Sequence, residues 1–478
     1  MSKQTRRRFL TRVAAGALAG VGASASLNPG AASGETRRGA DLPVPTAPQL
    51  KWQDFEVGAL VCYELHMQAM SYNQGEAQKT RIENVDLYNP TKLDTDQWLE
   101  AAKAMGARYA VFTASHESGF LQWQSDVYPY GLKQLKWRDG KGDVVRDFVR
   151  SCKRYGIAPG VFLGTRWNAH MGVLDFKVNQ GKGDDPIKQA QYNRMVEEMV
   201  TEICARYGDL CELWFDAGAY SPNKGGPDVL PIFEKRQPNC VFYHNEQRAD
   251  HRWAGNERGT AGYPCYATVP WAAFVANRNE ENFFKILRQG DPDGDCWSPA
   301  MADAPLRNHE WFWRPGDERK VYPLDSLVDM YYKSVGRNAN LIIGLTPDRD
   351  GLLPKGDMER CREFGNEIRR RFSTPLAETG GSGEQVVLTL KRPSRVNHVA
   401  LMEDIAHGER VREYVVEGLV AGETWRTMCE GTSIGHKRIQ HFPEQEVSQL
   451  RVRLTKSTAP PRIRSFAAYH ADPNPLAD

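Results

Sequence analysis

From about residue 90 the apolar positions repeat one unit: a helix with a single apolar face, a glycine that ends it, and a short apolar strand. Over Asp96 to Met105, Trp98, Leu99 and Ala102 fall on one side, Gly106 stops the helix, and Tyr109 to Ala114 reads as a strand. Asp143 is placed to cap the next helix; Val144, Val145, Phe148, Val149 and Cys152 share its face, Gly156 closes it, and Gly160 to Leu163 follows. In the third unit Tyr192, Met195, Val196, Met199, Val200 and Ile203 recur at steps of three and four before Gly208 and the strand Cys211 to Phe215. Two further units end at Val241 to Tyr243 and at Leu341 to Ile343. Strands alternating with helices require a mostly parallel sheet, so the pattern predicts an α/β fold, a (β/α)8-type TIM barrel, over residues 45–378. A doubly wound open sheet is the competing architecture.

The period changes after Gly380-Gly381-Ser382-Gly383, which reads as a linker. Alternating runs such as Tyr414 to Glu417 and Leu450 to Leu454 take over, predicting a small antiparallel β-sandwich over 384–472. A prop for the barrel is its plainer role and carbohydrate contact the alternative; no concentrated aromatic platform favours the second.

Composition and charge narrow the possibilities. The 478 residues are 26% charged and 41% apolar, an ordinary globular balance that excludes disorder and fibrous repeats. Five bases (Lys3, Arg6, Arg7, Arg8, Arg12) precede the first acid, Glu35, and their loss would turn the formal +2 into −3. Neither nucleic acid nor an anionic membrane is therefore an expected partner. Residues 1–34 read as an address: Thr5-Arg6-Arg7-Arg8-Phe9-Leu10 leads into an uncharged, Ala- and Gly-rich stretch, similar to a twin-arginine export signal. A periplasmic or secreted protein follows, with no stable membrane insertion once the signal is removed; a single anchor is the competing reading. Nine cysteines without CxxC pairs suit buried free thiols, consistent with folding in the reducing cytoplasm before export.

In a β/α barrel the chemistry gathers just after each strand. Those positions hold Ser115-His116-Glu117, Asp216, and His244-Asn245-Glu246. Asp216 is the sharpest, because an acid between Leu-Trp-Phe and Ala-Gly-Ala is either solvated at a strand end or buried with partners. Two carboxyls are the minimum for hydrolysing a glycosidic bond, and Glu246, Asp250, Glu257 and Glu117 are the candidates for the second. Tryptophans crowd the same stretches, Trp167 and Trp214 among them, and suit stacking on sugar faces. The sequence lacks GxxxxGKS/T, a strand-linked GxGxxG, HExxH and GxSxG, so no nucleotide cofactor, catalytic metal or serine nucleophile is expected.

The segments His116 to Phe120 (HESGF), Asp139 to Val149, Glu212 to Gly218 (ELWFDAG), Arg252 to Gly259 (RWAGNERG) and Ser334 to Gly351 resemble glycoside hydrolase family 29, the retaining α-L-fucosidases. The resemblance runs from about Trp52 to the C-terminus, with Ala400 to Val411 and Gly431 to Ile439 similar to that family's β-sandwich. It implies Asp216 as nucleophile and Glu257 as general acid/base of the subgroup that cuts α-1,3 and α-1,4 branches of fucosylated oligosaccharides or glycans. A retaining pair implies carboxyls about 5 Å apart and a Glu257 that holds its proton at neutral pH. His116 and Trp214 match sugar-contacting positions.

Three departures stand out: Cys62 where an early strand usually carries a His, Glu117 where HHDGF is usual, and Met301 where the subgroup commonly has an acid. Each lost contact to a sugar hydroxyl costs about 1–3 kcal/mol. Neighbours of those positions, Tyr63, Glu64, His66 or Glu117 itself, are expected to reach the same hydroxyls. The alternatives are a pocket refitted to a related sugar such as an α-L-galactosyl residue, or a non-catalytic carbohydrate-binding barrel.

Overall fold

The computed structural model describes residues 42–476 apart from 70–72, 180–182, 184, 277–280 and 422–423. The export segment read at 1–34 lies outside these residues. Eight parallel strands form the first body: β1 (Val57–Val61), β2 (Tyr109–Ser115), β3 (Ala158–Leu163), β4 (Glu212–Phe215), β5 (Val241–Tyr243), β6 (Arg252–Trp253), β7 (Ala300–Pro305) and β8 (Ala339–Leu345). They pair in the order β5-β4-β3-β2-β1-β8-β7-β6, a nearly closed barrel. The β5 and β6 edges are bridged by Asp250, whose amide donates to the Phe242 carbonyl (3.1 Å) and whose carboxylate accepts from the Phe242 amide (2.8 Å).

Helices α1 (Ala47–Phe55), α2 (Thr95–Met105), α3 (Val144–Tyr155), α4 (Pro186–Arg206), α5 (Leu230–Arg236), α6 (Glu281–Gln289), α7 (Leu324–Lys333) and α8 (Lys355–Phe372) accompany the strands. Asp143 caps α3 as expected, accepting from the Arg146 amide, and Gly106 and Gly156 end α2 and α3 in the left-handed region; α2 starts at Thr95, one residue before the sequence reading, with Asp94 accepting from the Asp96 amide. Trp98, Leu99, Phe148 and Cys152 are fully buried between helices and sheet, where each large side chain contributes about 1.5–3 kcal/mol. Helix α1 plugs the N-terminal end of the barrel, where the Trp52 indole donates to Glu212 Oε2 (3.0 Å) and its carbonyl accepts from Asn340 (2.7 Å). The opposite end is thereby left as the mouth.

The second body is a six-stranded antiparallel sheet, β9 (Ala377–Ser382), β10 (Gln385–Glu403), β11 (Val411–Val420), β12 (Thr424–Gly431), β13 (Arg438–Ser457) and β14 (Arg462–Tyr469), in the order β9-β14-β10-β13-β11-β12. Register breaks in the two longest strands, β10 and β13, let the sheet fold over its own core of Val399, Leu401, Val416, Leu450 and Phe466. The glycine-rich stretch read as a linker is itself strand: β9 pairs with β14 across a bulge between Thr379 and Gly381. The boundary therefore moves from 384 to 377, because glycines without side-chain signal can still join a ladder through their backbone.

The two bodies share a seam. Glu409 accepts from the Ala267 amide (2.9 Å) and from Asn338, the Asn338 side-chain Oδ1 accepts from the His436 amide (2.7 Å), and Tyr332 bonds to His398 (2.8 Å). The nine cysteines are all free thiols, and among the described residues no helix is long and apolar enough to cross a membrane.

Candidate active site

The mouth is assembled from strand ends. Asp216 follows β4 and is fixed there by its amide, which donates to the Leu163 carbonyl (3.2 Å). The chain then turns sharply: Ala217 takes φ 54 and Gly218 φ 89, and a side chain at Gly218 would strike the His244 carbonyl at 2.8 Å. A non-glycine residue in the left-handed region is strained, and such strain is typical where a side chain must be presented at one angle. Burial lifts the Asp216 carboxyl above its ordinary range, while His116, Arg166 and the Ala217 amide draw it back.

His116 and Glu117 follow β2, and their ligand atoms and those of Asp216 all lie within 4.8 Å of one another. That spacing suits a shared sugar hydroxyl as well as a cation. The His116 ring is held between Phe162 (5.6 Å) and Phe312 (4.8 Å), and Phe162 in turn packs on Trp214 (5.6 Å). Glu117 accepts from Gln78 (2.7 Å) and, at 3.4 Å, from Gln74, so the segment after β1 orients it. Trp214 is buried against Phe162 and Tyr243, and Trp167 lies under the Arg166 guanidinium at 4.6 Å.

The β1 end alternates. Cys62 is buried close enough to Asp216 that the carboxylate adds to burial in pushing its thiol up. Glu64 pairs with His66 (3.1 Å); burial alone would raise its carboxyl, but the charges of His66 and His116 bring it below the ordinary range. Tyr63, between them, points the other way. Its ring packs on Tyr88 and on Trp98 of α2, and its hydroxyl meets Gln68 and the Arg349 carbonyl. The expectation that Tyr63 reaches a sugar is thus corrected: just past the end of β1, its ring turns into the helix layer while Cys62 and Glu64 stand near Asp216 and His116.

Of the four candidates for a second acid, Asp250 is held by Arg248 (2.8 Å) and the Phe242 amide and serves the barrel seam, and Glu246 is paired with Lys224. Glu257 is exposed on the loop after β6. That loop is braced at both ends on β7, by the Ala254 amide to the Met301 carbonyl and the Gly259 amide to the Asp303 carbonyl (both 2.8 Å). Asn256 crosses it, donating to Thr260 (2.8 Å) and accepting from the Arg258 amide (3.0 Å). Gly255 and Gly259 bracket Glu257 in the left-handed region, which explains the glycines of GNERG.

Sequence reasoning missed Asp303. It stands in mid-strand on β7, 6% exposed, accepting from the Trp253 indole at 2.7 Å. The signal was present: Met301, noted as a missing acid, and Asp303 are two residues apart and so share one face of the strand. Arg166 was also missed, since its part depends on the loop after β3 folding back toward Asp216.

The model of the family described as Alpha-L-fucosidase matches residues 49–370. A putative alpha-L-fucosidase 1 of Oryza sativa subsp. japonica is 32% identical over 90% of this chain and 85% of its own length, and Alpha-L-fucosidase 1 of Arabidopsis thaliana is 27% identical over 90% and 88%. Among solved structures, a putative alpha-L-fucosidase from Bacteroides thetaiotaomicron superposes with a TM-score of 0.87 at 50% identity, covering 90% of this chain and all of that one. A second from the same organism gives 0.77 at 29% identity, covering 90% of this chain and 98% of its own. A barrel whose strand ends gather acids, an imidazole and aromatic rings, on a chain matching these relatives nearly end to end, belongs to the alpha-L-fucosidase family of glycoside hydrolases.

Proposed function

We propose that the protein is an exported, retaining exo-hydrolase that removes terminal α-L-fucosyl residues from α-1,3/1,4 branches, with Asp216 as nucleophile and Glu257 as acid/base. The observation that carries this reading is the convergence of His116 and Glu117 on Asp216 within 4.8 Å at the barrel mouth. In the first step an Asp216 oxygen bonds to the anomeric carbon, the glycosidic bond breaks, and the leaving oxygen takes the proton from Glu257. In the second, Glu257 takes a proton from water, whose oxygen displaces Asp216 from that carbon. Desolvation of Asp216 strengthens it as a nucleophile once ionised, and turnover rises with pH as it loses its proton. His116, fixed between two phenylalanines, and Glu117, fixed by two glutamines, are set to receive sugar hydroxyls without further ordering. Cys62 and Met301 leave the wall less polar than the family pattern, and Glu64 and Glu117 supply acceptors beside them.

Product analysis tests the reading. The panel holds an aryl α-L-fucoside, α-1,3/4- and α-1,2-fucosylated oligosaccharides and an α-L-galactoside, with the first-formed anomer followed by proton NMR. Release of α-L-fucose first, from 1,3/4 branches in preference to 1,2, is expected. A β-anomer first would overturn the retaining mechanism, and turnover only of the galactoside would overturn the substrate. Export is supported by the paired arginines and the free thiols. Replacing Arg6 and Arg7 by Lys is expected to leave the protein in the cytoplasm, and unchanged delivery would refute that route.

A further inference from the structure

We propose that Asp303 is a third functional carboxyl of this centre, a positioning residue that fixes Trp253 and governs the proton on Glu257 from within the barrel wall. The inference rests on the reading of Glu257 as acid/base. Three observations lead to it. The side chain is buried in mid-strand and accepts from the Trp253 indole, at 2.7 Å on the adjoining strand. Its backbone carbonyl anchors the Gly259 amide, which closes the loop that presents Glu257, so strand, tryptophan and loop move as one unit. Burial, then the charge of Glu257, then that of Asp216, oppose its ionisation, so the Asp303 carboxyl rises well above its ordinary range.

A buried acid facing two others is costly as a mere structural tie, because an apolar residue would fill the strand position without desolvating a carboxyl. Because the charges of Glu257 and Asp216 add to burial in opposing its ionisation, Asp303 keeps its proton above the usual carboxylate range and adds no negative charge beside them. Glu257 can then give its proton to the leaving group and regain one from water while Asp303 stays uncharged.

The test is Asp303→Asn, which keeps the acceptor for Trp253 and removes the second titrating site. The alkaline limb of the kcat/KM profile is expected to move down by at least one pH unit, with kcat at neutral pH reduced about tenfold or more on oligosaccharides and the thermal midpoint unchanged. A superimposable pH profile would overturn the proposal, leaving Asp303 a structural tie. Trp253→Phe, which removes the indole donor and keeps an aromatic ring, is expected to raise KM and leave the alkaline limb in place; a matching shift in that limb would also overturn it. Glu257→Ala, assayed alongside with an activated aryl fucoside and azide, separates the two levels. Rescue by azide upholds the acid/base reading whatever Asp303 does, and lack of rescue refutes that reading first.

Discussion

Two groups of acids, one beside the sandwich and one at the barrel mouth, differ in their surroundings. At the seam between barrel and sandwich, Glu403 accepts from the amides of Arg410 (2.8 Å), Val411 (3.0 Å) and Gly435 (2.9 Å), and Glu409 accepts from Ala267 and Asn338. At the mouth, Glu117 lies with Asp216 and His116 and accepts from the side chains of Gln78 and Gln74, while Asp303 accepts from the Trp253 indole and feels the charges of Glu257 and Asp216. An acid surrounded by backbone amides holds chain segments together; an acid whose neighbours are other acids has its proton affinity adjusted and is left able to react. Burial alone does not distinguish the two, but the donor inventory does.

The sharpest way to break this contrast is to remove one acid from each place. Asp216→Ala is expected to lower turnover by several orders of magnitude with an unchanged thermal midpoint; activity within tenfold of wild type would refute the nucleophile. Glu257→Ala is expected to cost about 10²–10⁴ in kcat on oligosaccharides and far less on activated aryl fucosides, which need little protonation. Equal loss on both would point to another acid, with Glu246 next in line. Glu409→Ala has the opposite signature. It strands the Ala267 amide and one N–H of Asn338, whose nitrogen still donates to the Cys265 carbonyl (3.0 Å), at about 1–3 kcal/mol each, so the denaturation midpoint falls while turnover per folded molecule stays within a few fold.

The smallest effect sharpens the picture within the seam. Burial and then the Glu409 charge raise Glu403 from 4.5 to about 7. A carboxyl raised on folding stabilises the native state below its unfolded pKa and loses that contribution as pH rises through its folded value. The stability of wild type relative to Glu403→Gln is therefore expected to decline between pH 4.5 and about 7 and then level off, as read by urea denaturation at fixed salt. A difference independent of pH would show that folding does not raise the Glu403 carboxyl.

Much of this architecture was legible in the chain. Helix α3 began where Asp143 placed it, and α2 and α3 ended at Gly106 and Gly156, because a cap is a local hydrogen bond between residues a few positions apart. Strands β2 to β5 were found as continuous apolar runs, since a parallel strand covered on both faces has no polar side to show. Strands β6 and β7 were not. The first has two residues, and the second, Ala-Met-Ala-Asp-Ala-Pro, lacks the branched residues that mark a strand, being held by partners on either side.

The site divided along the same line. Asp216, His116, Glu117 and Glu257 could be named because each follows or sits in a short motif, and a strand end is a position in sequence as much as in space. The orientation of Tyr63, the bracing of the Glu257 loop on β7 and the bond from Trp253 to Asp303 depended on residues 35 to 50 positions apart meeting in space. By itself the sequence determined the elements, their caps and the kinds of group available for chemistry. Only the tertiary structure decided which acids face amides and which face one another, because the free energy of a buried charge depends on partners that the chain brings together by closing the barrel.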